Sequence, residues 1–139
     1  FFQGSYGNYI LNGVRVSHEG MESTYNQFTS TLNRWNGKGS SNTMPRAIYA
    51  DPNRNNRAST RWVEDGSYLR LKNLTFGYRF TQDWLKKIGA KSLRLYLSFD
   101  NLWTLTNYSG LDPEVGLWGL DYGIYPTSRV YMFGASVKF

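Results

Sequence analysis

The chain has no cysteine. Disulfides, thiolate metal sites and a cysteine nucleophile are therefore excluded. His18 is the only histidine, so no His-based triad or zinc pair is expected, and His18 reads as a loop residue. No run of about 18 apolar residues exists, so no helix can cross a membrane. That leaves membrane strands open, because they hide their apolar face in alternation. The 16 Lys and Arg give a net charge of +6 but are scattered. Without a dense basic helix or stripe, a nucleic-acid partner is not expected. The chain opens on Phe1-Phe2-Gln3-Gly4 without a Met or a signal peptide, and this start is taken as a cut in mid-strand.

Aromatic residues are what the sequence has in excess. Tyr (11), Phe (8) and Trp (5) make up 17% of its 139 residues, while the chain is polar on average. Such a balance fits a transmembrane β-barrel, in which lipid-facing and polar residues alternate and aromatic girdles mark the interfaces. It fits a secreted carbohydrate-binding sandwich equally well.

The pattern along the chain separates these two. Residues 1–12 are aromatic and Gly-rich without helical period and predict a strand. Met21, Tyr25, Phe28, Leu32 and Trp35 are spaced 4, 3, 4, 3, which predicts an amphipathic helix. Its apolar stripe suits either a docking partner or the mouth of a barrel. Residues 36–66 have no period and read as a long loop of the kind that is usually functional when ordered. From Ser67 onward the chain alternates at period two. Strands are expected over about 67–80, 91–105 and 127–139, with a short turn at 81–90 and long loops at 13–66 and 106–126. Short and long connections alternate, as in a barrel whose turns are short on one side of the membrane.

The faces are regular. Leu74, Phe76, Tyr78 and Phe80 oppose Thr75, Gly77 and Arg79. Leu93, Leu95, Leu97 and Phe99 oppose Arg94, Tyr96, Ser98 and Asp100. Tyr131, Phe133, Ala135, Val137 and Phe139 oppose Met132, Gly134, Ser136 and Lys138. Leu69 and Leu71 fall on the wrong parity, which calls for a bulge near Asn73 or for an upper part that packs its other face inward. Ten residues tilted near 45° rise about 23 Å. Counted from Phe80, Leu93 and Phe139, that distance ends at Arg70, Trp103 and Arg129, which are expected at the outer membrane rim, with Arg70, Lys72 and Arg129 against lipid or lipopolysaccharide phosphates. Strands of 13–15 residues exceed the usual 5–6, and so few strands cannot close a barrel, since such barrels have at least eight. The segment must be completed by other sequence.

The ending Gly134-Ala135-Ser136-Val137-Lys138-Phe139 resembles the signal read by the barrel-assembly machinery, with Gly134, Val137 and Phe139 in the marked positions. Met132 departs from the polar residue usual two before the glycine. A longer resemblance covers nearly the whole chain. VEDGSYLRLKNLTFGYRF (63–80), SLRLYLSFDNLWTLTNYSGLDPEVG (92–116) and LDYGIYPTSRVYMFGASVKF (120–139) look like the closing segment of SusC/RagA-type TonB-linked outer-membrane transporters of Bacteroidetes. LNRW (32–35) and DPNRNNR (51–57) resemble an upstream loop of that family. The resemblance implies an all-β, 22-stranded barrel with a plug, driven by the TonB complex and capped by a SusD-like surface lipoprotein. The cargo would be an oligosaccharide or an oligopeptide. Loops would face outward and Phe139 the periplasm. A passive outer-membrane porin and a secreted carbohydrate-binding sandwich are the alternatives.

Asp51, Asn53 and Asn55 begin like a calcium loop, but Asn56 and Trp62 stand where Gly and Glu belong, so no metal is expected. Asp112 and Glu114 flank Pro113 and mimic an acid/base pair, although a turn is the simpler role. With Trp118, Asp121, Tyr122 and Tyr125 they are the candidate contacts for cargo or lid. The stripe Met21–Trp35 is the candidate lid-docking helix. No cofactor and no catalytic residue is expected.

Overall fold

The computed structural model describes residues 1–139, mostly strands with a few short helices. The chain divides into two compact units. One comprises 1–6, 67–107 and 126–139; the other comprises 7–66 and 108–125.

The first unit is a four-stranded antiparallel sheet. Its strands are β1 (Phe2–Ser5), β4 (Tyr68–Phe80), β5 (Ser92–Thr106) and β7 (Val130–Lys138), in that spatial order. In β4 and β5 the alternating residues pair as equals. Leu74, Phe76, Tyr78 and Phe80 lie opposite Phe99, Leu97, Leu95 and Leu93. Those in turn lie opposite Tyr131, Phe133, Ala135 and Val137 of β7. Directly opposed residues share a face, so three strands present one continuous apolar surface. This surface is not a core. Phe76, Tyr78, Tyr131 and Phe133 are all more than half exposed. A contiguous apolar face of this extent marks a surface that contacts a partner or a membrane. The opposite face carries mostly small or polar residues: Thr75–Ser98–Met132, Gly77–Tyr96–Gly134 and Arg79–Arg94–Ser136 stand in rows.

The parity conflict at Leu69 and Leu71 has a structural cause. Register shifts between Leu71 and Asn73, where Asn101 and Leu102 of β5 oppose the single Lys72. Asn101 has φ +52, a left-handed conformation that Asn tolerates better than most residues. Lys72 and Asn73 both donate their backbone N–H to the Phe1 carbonyl. This is the bulge expected near Asn73. Beyond it, Leu69–Leu105 and Leu71–Trp103 form apolar pairs, and Arg70 pairs with Thr104. Between β4 and β5 lies the one-turn helix α2 (Asp83–Lys87), which buries Leu85 and exposes Trp84.

The second unit is built on a small sheet. Strand β2 (Tyr9–Asn12) pairs antiparallel with β3 (Val63–Asp65) and parallel with β6 (Leu120–Asp121). Its core contains Ile10 and Trp62, both fully buried. The Trp62 indole N–H donates to the Arg57 carbonyl.

Three expectations are corrected here. The strand expected over 1–12 is two strands in two sheets, because the chain turns between Ser5 and Tyr9 with Gly7 at φ +77. The helix expected over Met21–Trp35 is absent. The helix forms earlier, as α1 (Gly13–Glu19), because the Asn12 side chain caps it by accepting the Arg15 N–H, and Arg15 and Glu19 pair one turn apart. Met21 then leaves helical space at φ +55, Phe28 is extended, and Thr29–Asn33 makes a short 3-10 turn. The 4, 3, 4, 3 stripe is therefore split: Met21 is buried, while Tyr25 and Leu32 are largely exposed. The third correction concerns Arg70. It is 3% exposed and donates to the Thr104 and Thr127 hydroxyls, with its guanidinium over the Tyr68 ring. Such a group is engaged by the neighbouring strand and by the segment before β7, and its buried guanidinium is turned away from lipid phosphates. Trp103 is partly exposed and meets the Phe2 ring edge-on, and Arg129 is exposed beside the start of β7.

Candidate functional site

The second unit gathers polar residues from four distant parts of the sequence. Glu64, on β3, is their centre. Its Oε1 accepts from Arg15 at 2.8 Å, from the Ser109 hydroxyl at 2.9 Å and from the Asn12 amide at 3.2 Å, while its Oε2 accepts the Ser109 N–H. The same Arg15 bridges to Glu19, whose other oxygen accepts the Ser30 hydroxyl at 2.7 Å. Burial alone would push the Glu64 carboxyl up, but Arg15 and Ser109 outweigh it and hold it below its usual value. Burial would lower the Arg15 guanidinium, yet Glu19 and Glu64 carry it above its ordinary value.

A second link lies beside the first. The Tyr108 hydroxyl donates to Asp121 at 2.6 Å, and the other Asp121 oxygen accepts the Gly123 and Ile124 N–H groups. Burial opposes the charge on Asp121, but these three donors prevail and depress its pKa. The Tyr108 phenol is pushed up, first by burial and then by the adjacent carboxylate.

These groups border a cleft of about 600 Å³ lined by Asn12, Arg15, Glu19, Phe28, Ser109 and Asp121, among others. Chemically the arrangement is a clamp. Each carboxylate is engaged by donors from its own or neighbouring segments, so the network ties these segments together.

The sequence-predicted residues separate by exposure. Asp112 and Asp121 are buried, and Asp112 closes a turn by accepting the Glu114 N–H. Asp51 does the same for Asn56. Trp118, Tyr122 and Tyr125 are at least three-quarters exposed, and Glu114 is exposed. The loop thus keeps Asp112 and Asp121 for its own internal bonds and exposes Glu114 together with aromatic faces. His18 stacks on the Phe28 ring with centroids 5.1 Å apart. Sequence reasoning missed Asn12, Arg15, Glu19, Glu64 and Ser109. Only the cap carried a readable signal, an Asn before a short helical stretch closed by Gly20.

Comparison with known proteins adds the context. No protein-family model matches the chain. The whole chain aligns at 38% identity with TonB-dependent receptor P3 of Formosa agariphila, covering 14% of that protein. With TonB-dependent receptor SusC of Bacteroides thetaiotaomicron, 58% of the chain aligns at 34% identity, covering 8% of that protein. Among solved structures, the RagAB peptide transporter superposes on 99% of the chain with a TM-score of 0.83 at 27% identity, over 15% of that chain. The RagAB peptide importer in its closed-closed state gives 0.84 at 28% identity, with 99% and 15% covered. This chain therefore spans about a seventh of the length of these relatives, which are receptors and transporters by name. Long strands with an exposed apolar face, and relatives that match it from end to end, lead to one assignment: the chain belongs to the SusC/RagA-type TonB-dependent receptors of the outer membrane and is a segment of their β-barrel.

Proposed function

We propose that the complete protein is a TonB-coupled importer of a large nutrient, and that this chain forms the last strands of its 22-stranded barrel. The observation that carries the reading is the apolar face shared by β4, β5 and β7, with Phe76, Tyr78, Leu97, Tyr131 and Phe133 exposed. Water would not tolerate that face, and a bilayer would. The edges of β1 and β7 lack partners within the chain, so further strands complete the wall. In this reading residues 13–66 and 106–126 are extracellular, the turn 81–90 and Phe139 are periplasmic, and a SusD-like lipoprotein closes over the loops. Trp118, Tyr122 and Tyr125 are then contacts for cargo or lid. An oligopeptide is supported by the RagAB relatives, described as a peptide transporter; an oligosaccharide is supported by the exposed aromatic rings. No catalytic step is assigned.

The test is uptake by cells carrying the full-length gene, with labelled oligopeptide or oligosaccharide, before and after loss of TonB. Import that stops without TonB is the expected result. Uptake that persists unchanged would make the protein a passive porin and overturn the energy-coupled reading.

A further inference from the structure

Between Thr24 and Val63 the chain carries Arg34, Lys38, Arg46, Arg54, Arg57 and Arg61 against a single acid, Asp51. That acid is turned to its own loop, where it accepts the Asn56 N–H. A pocket of about 410 Å³ opens within this segment, lined by Trp35, Asn42, Thr43, Arg46, Asn55 and Arg61, among others, with no carboxylate in its wall. Its floor is held in place. The Trp35 N–H donates to the Met44 carbonyl, and Ser41 Oγ accepts the Thr43 and Met44 N–H groups, so the stretch 35–44 is a closed loop. Arg61 is fixed over the Trp62 indole with its guanidinium carbon 4.3 Å from the ring centre. One of its terminal nitrogens, Nη2, is buried without a hydrogen-bond partner. Burial and the nearby Arg15 also lower its pKa, against the pull of Glu19. Arg46 is exposed. Arg46 and Arg61 both line the pocket beside amide and hydroxyl side chains, and arginine suits a planar oxyanion because it binds one through paired N–H donors. The Trp35 ring, 38% exposed, supplies an aromatic wall beside them.

We propose that this pocket binds an acidic sugar residue, its carboxylate held by Arg46 and Arg61 and its pyranose ring against Trp35. The proposal rests on the import reading above and specifies a cargo class for it.

The experiment is equilibrium titration of the purified full-length protein with trigalacturonate, with neutral maltotriose and triglutamate as controls. Trigalacturonate is expected to bind at least about tenfold more tightly than either control, and to weaken in about 0.5 M salt as screening shortens the reach of the arginines. Arg46→Glu should cost at least about tenfold for trigalacturonate and leave maltotriose unaffected. Trp35→Ala should also weaken trigalacturonate. Should Arg46→Glu fail to fold, Arg46→Gln must show the same selective loss. Equal affinity for trigalacturonate and maltotriose, equal affinity for triglutamate, or unchanged binding by a folded Arg46 variant would each overturn the proposal. Binding is read without energised transport, so loss of uptake with binding retained strikes the import reading alone.

Discussion

The Tyr96 ring lies across Gly134 on the neighbouring strand, so closely that a Cβ built at Gly134 would overlap the ring and its hydroxyl. On the other side of Tyr96 stands Gly77. A glycine in a strand interior weakens it unless another group needs the space, and here an aromatic ring fills the gap. Gly134→Ala is expected to push the part-exposed Tyr96 ring aside at a cost of about 1 kcal/mol, and Tyr96→Ala in the same protein should recover part of the loss. The fraction of heat-modifiable, folded barrel on a gel and the melting temperature would show it. A Gly134→Ala protein as stable as the parent would remove this explanation for the glycine.

Gly134 is also where sequence and structure meet on different terms. From the sequence it is a position in an assembly signal; in the structure it is a seat for Tyr96, a residue 38 positions away whose approach only the register of β5 and β7 reveals. The alternation of Leu93, Leu95, Leu97 and Phe99 was legible because a strand half immersed in an apolar medium repeats at period two. The bulge near Asn73 was legible for the same reason, as a break in that repeat. The helix was misread because apolar spacing of three and four also arises by chance in a loop. Asn12, the residue that decides where the helix starts, stands outside the stripe. Glu64 was invisible as a site residue, since its donors come from positions 12, 15 and 109.

Arg70 and Arg129 should behave differently when removed. Arg70 is buried and hydrogen-bonded to Thr104 and Thr127. Arg70→Ala forfeits charge-assisted bonds worth about 1.5–3 kcal/mol and leaves the two hydroxyls to find new partners. Arg129→Ala, at an exposed position, should stay within about 0.5 kcal/mol. Chemical denaturation of the two variants in one detergent is the comparison. Equal, small effects would return Arg70 to the membrane rim.

Phe139 is 75% exposed at the end of the last strand, its carbonyl accepting from the Lys91 ammonium. If it serves as an assembly signal, a full-length protein lacking it should fold into the outer membrane poorly, with unfolded precursor accumulating in the periplasm. Purified protein refolded into detergent should lose little by the same deletion, because Phe139 has few contacts to give up. Normal insertion in cells would count against the signal.

Acid should loosen the loop unit through Asp121 and Glu64. Both have folded pKa values below their unfolded ones. Below both values each carboxyl is protonated in either state and contributes nothing from this source; above the unfolded value, near 4, the full contribution is present. Stability from these groups is therefore intact at neutral pH and lost as pH falls through the depressed folded values. Asp121→Asn should mimic part of that loss at pH 7, because an amide oxygen accepts more weakly than a carboxylate from Tyr108, Gly123 and Ile124. The cost should be about 1–3 kcal/mol. Hydrogen exchange is the suitable measurement, since it reports local opening without unfolding the barrel. Amides of 119–125 should exchange faster in Asp121→Asn than in the parent at pH 7, while amides of β4 and β5 keep their protection. Faster exchange across both groups would mean that Asp121 supports the whole molecule rather than its own loop. Unchanged exchange at 119–125 would show that the bond to Tyr108 holds nothing in place.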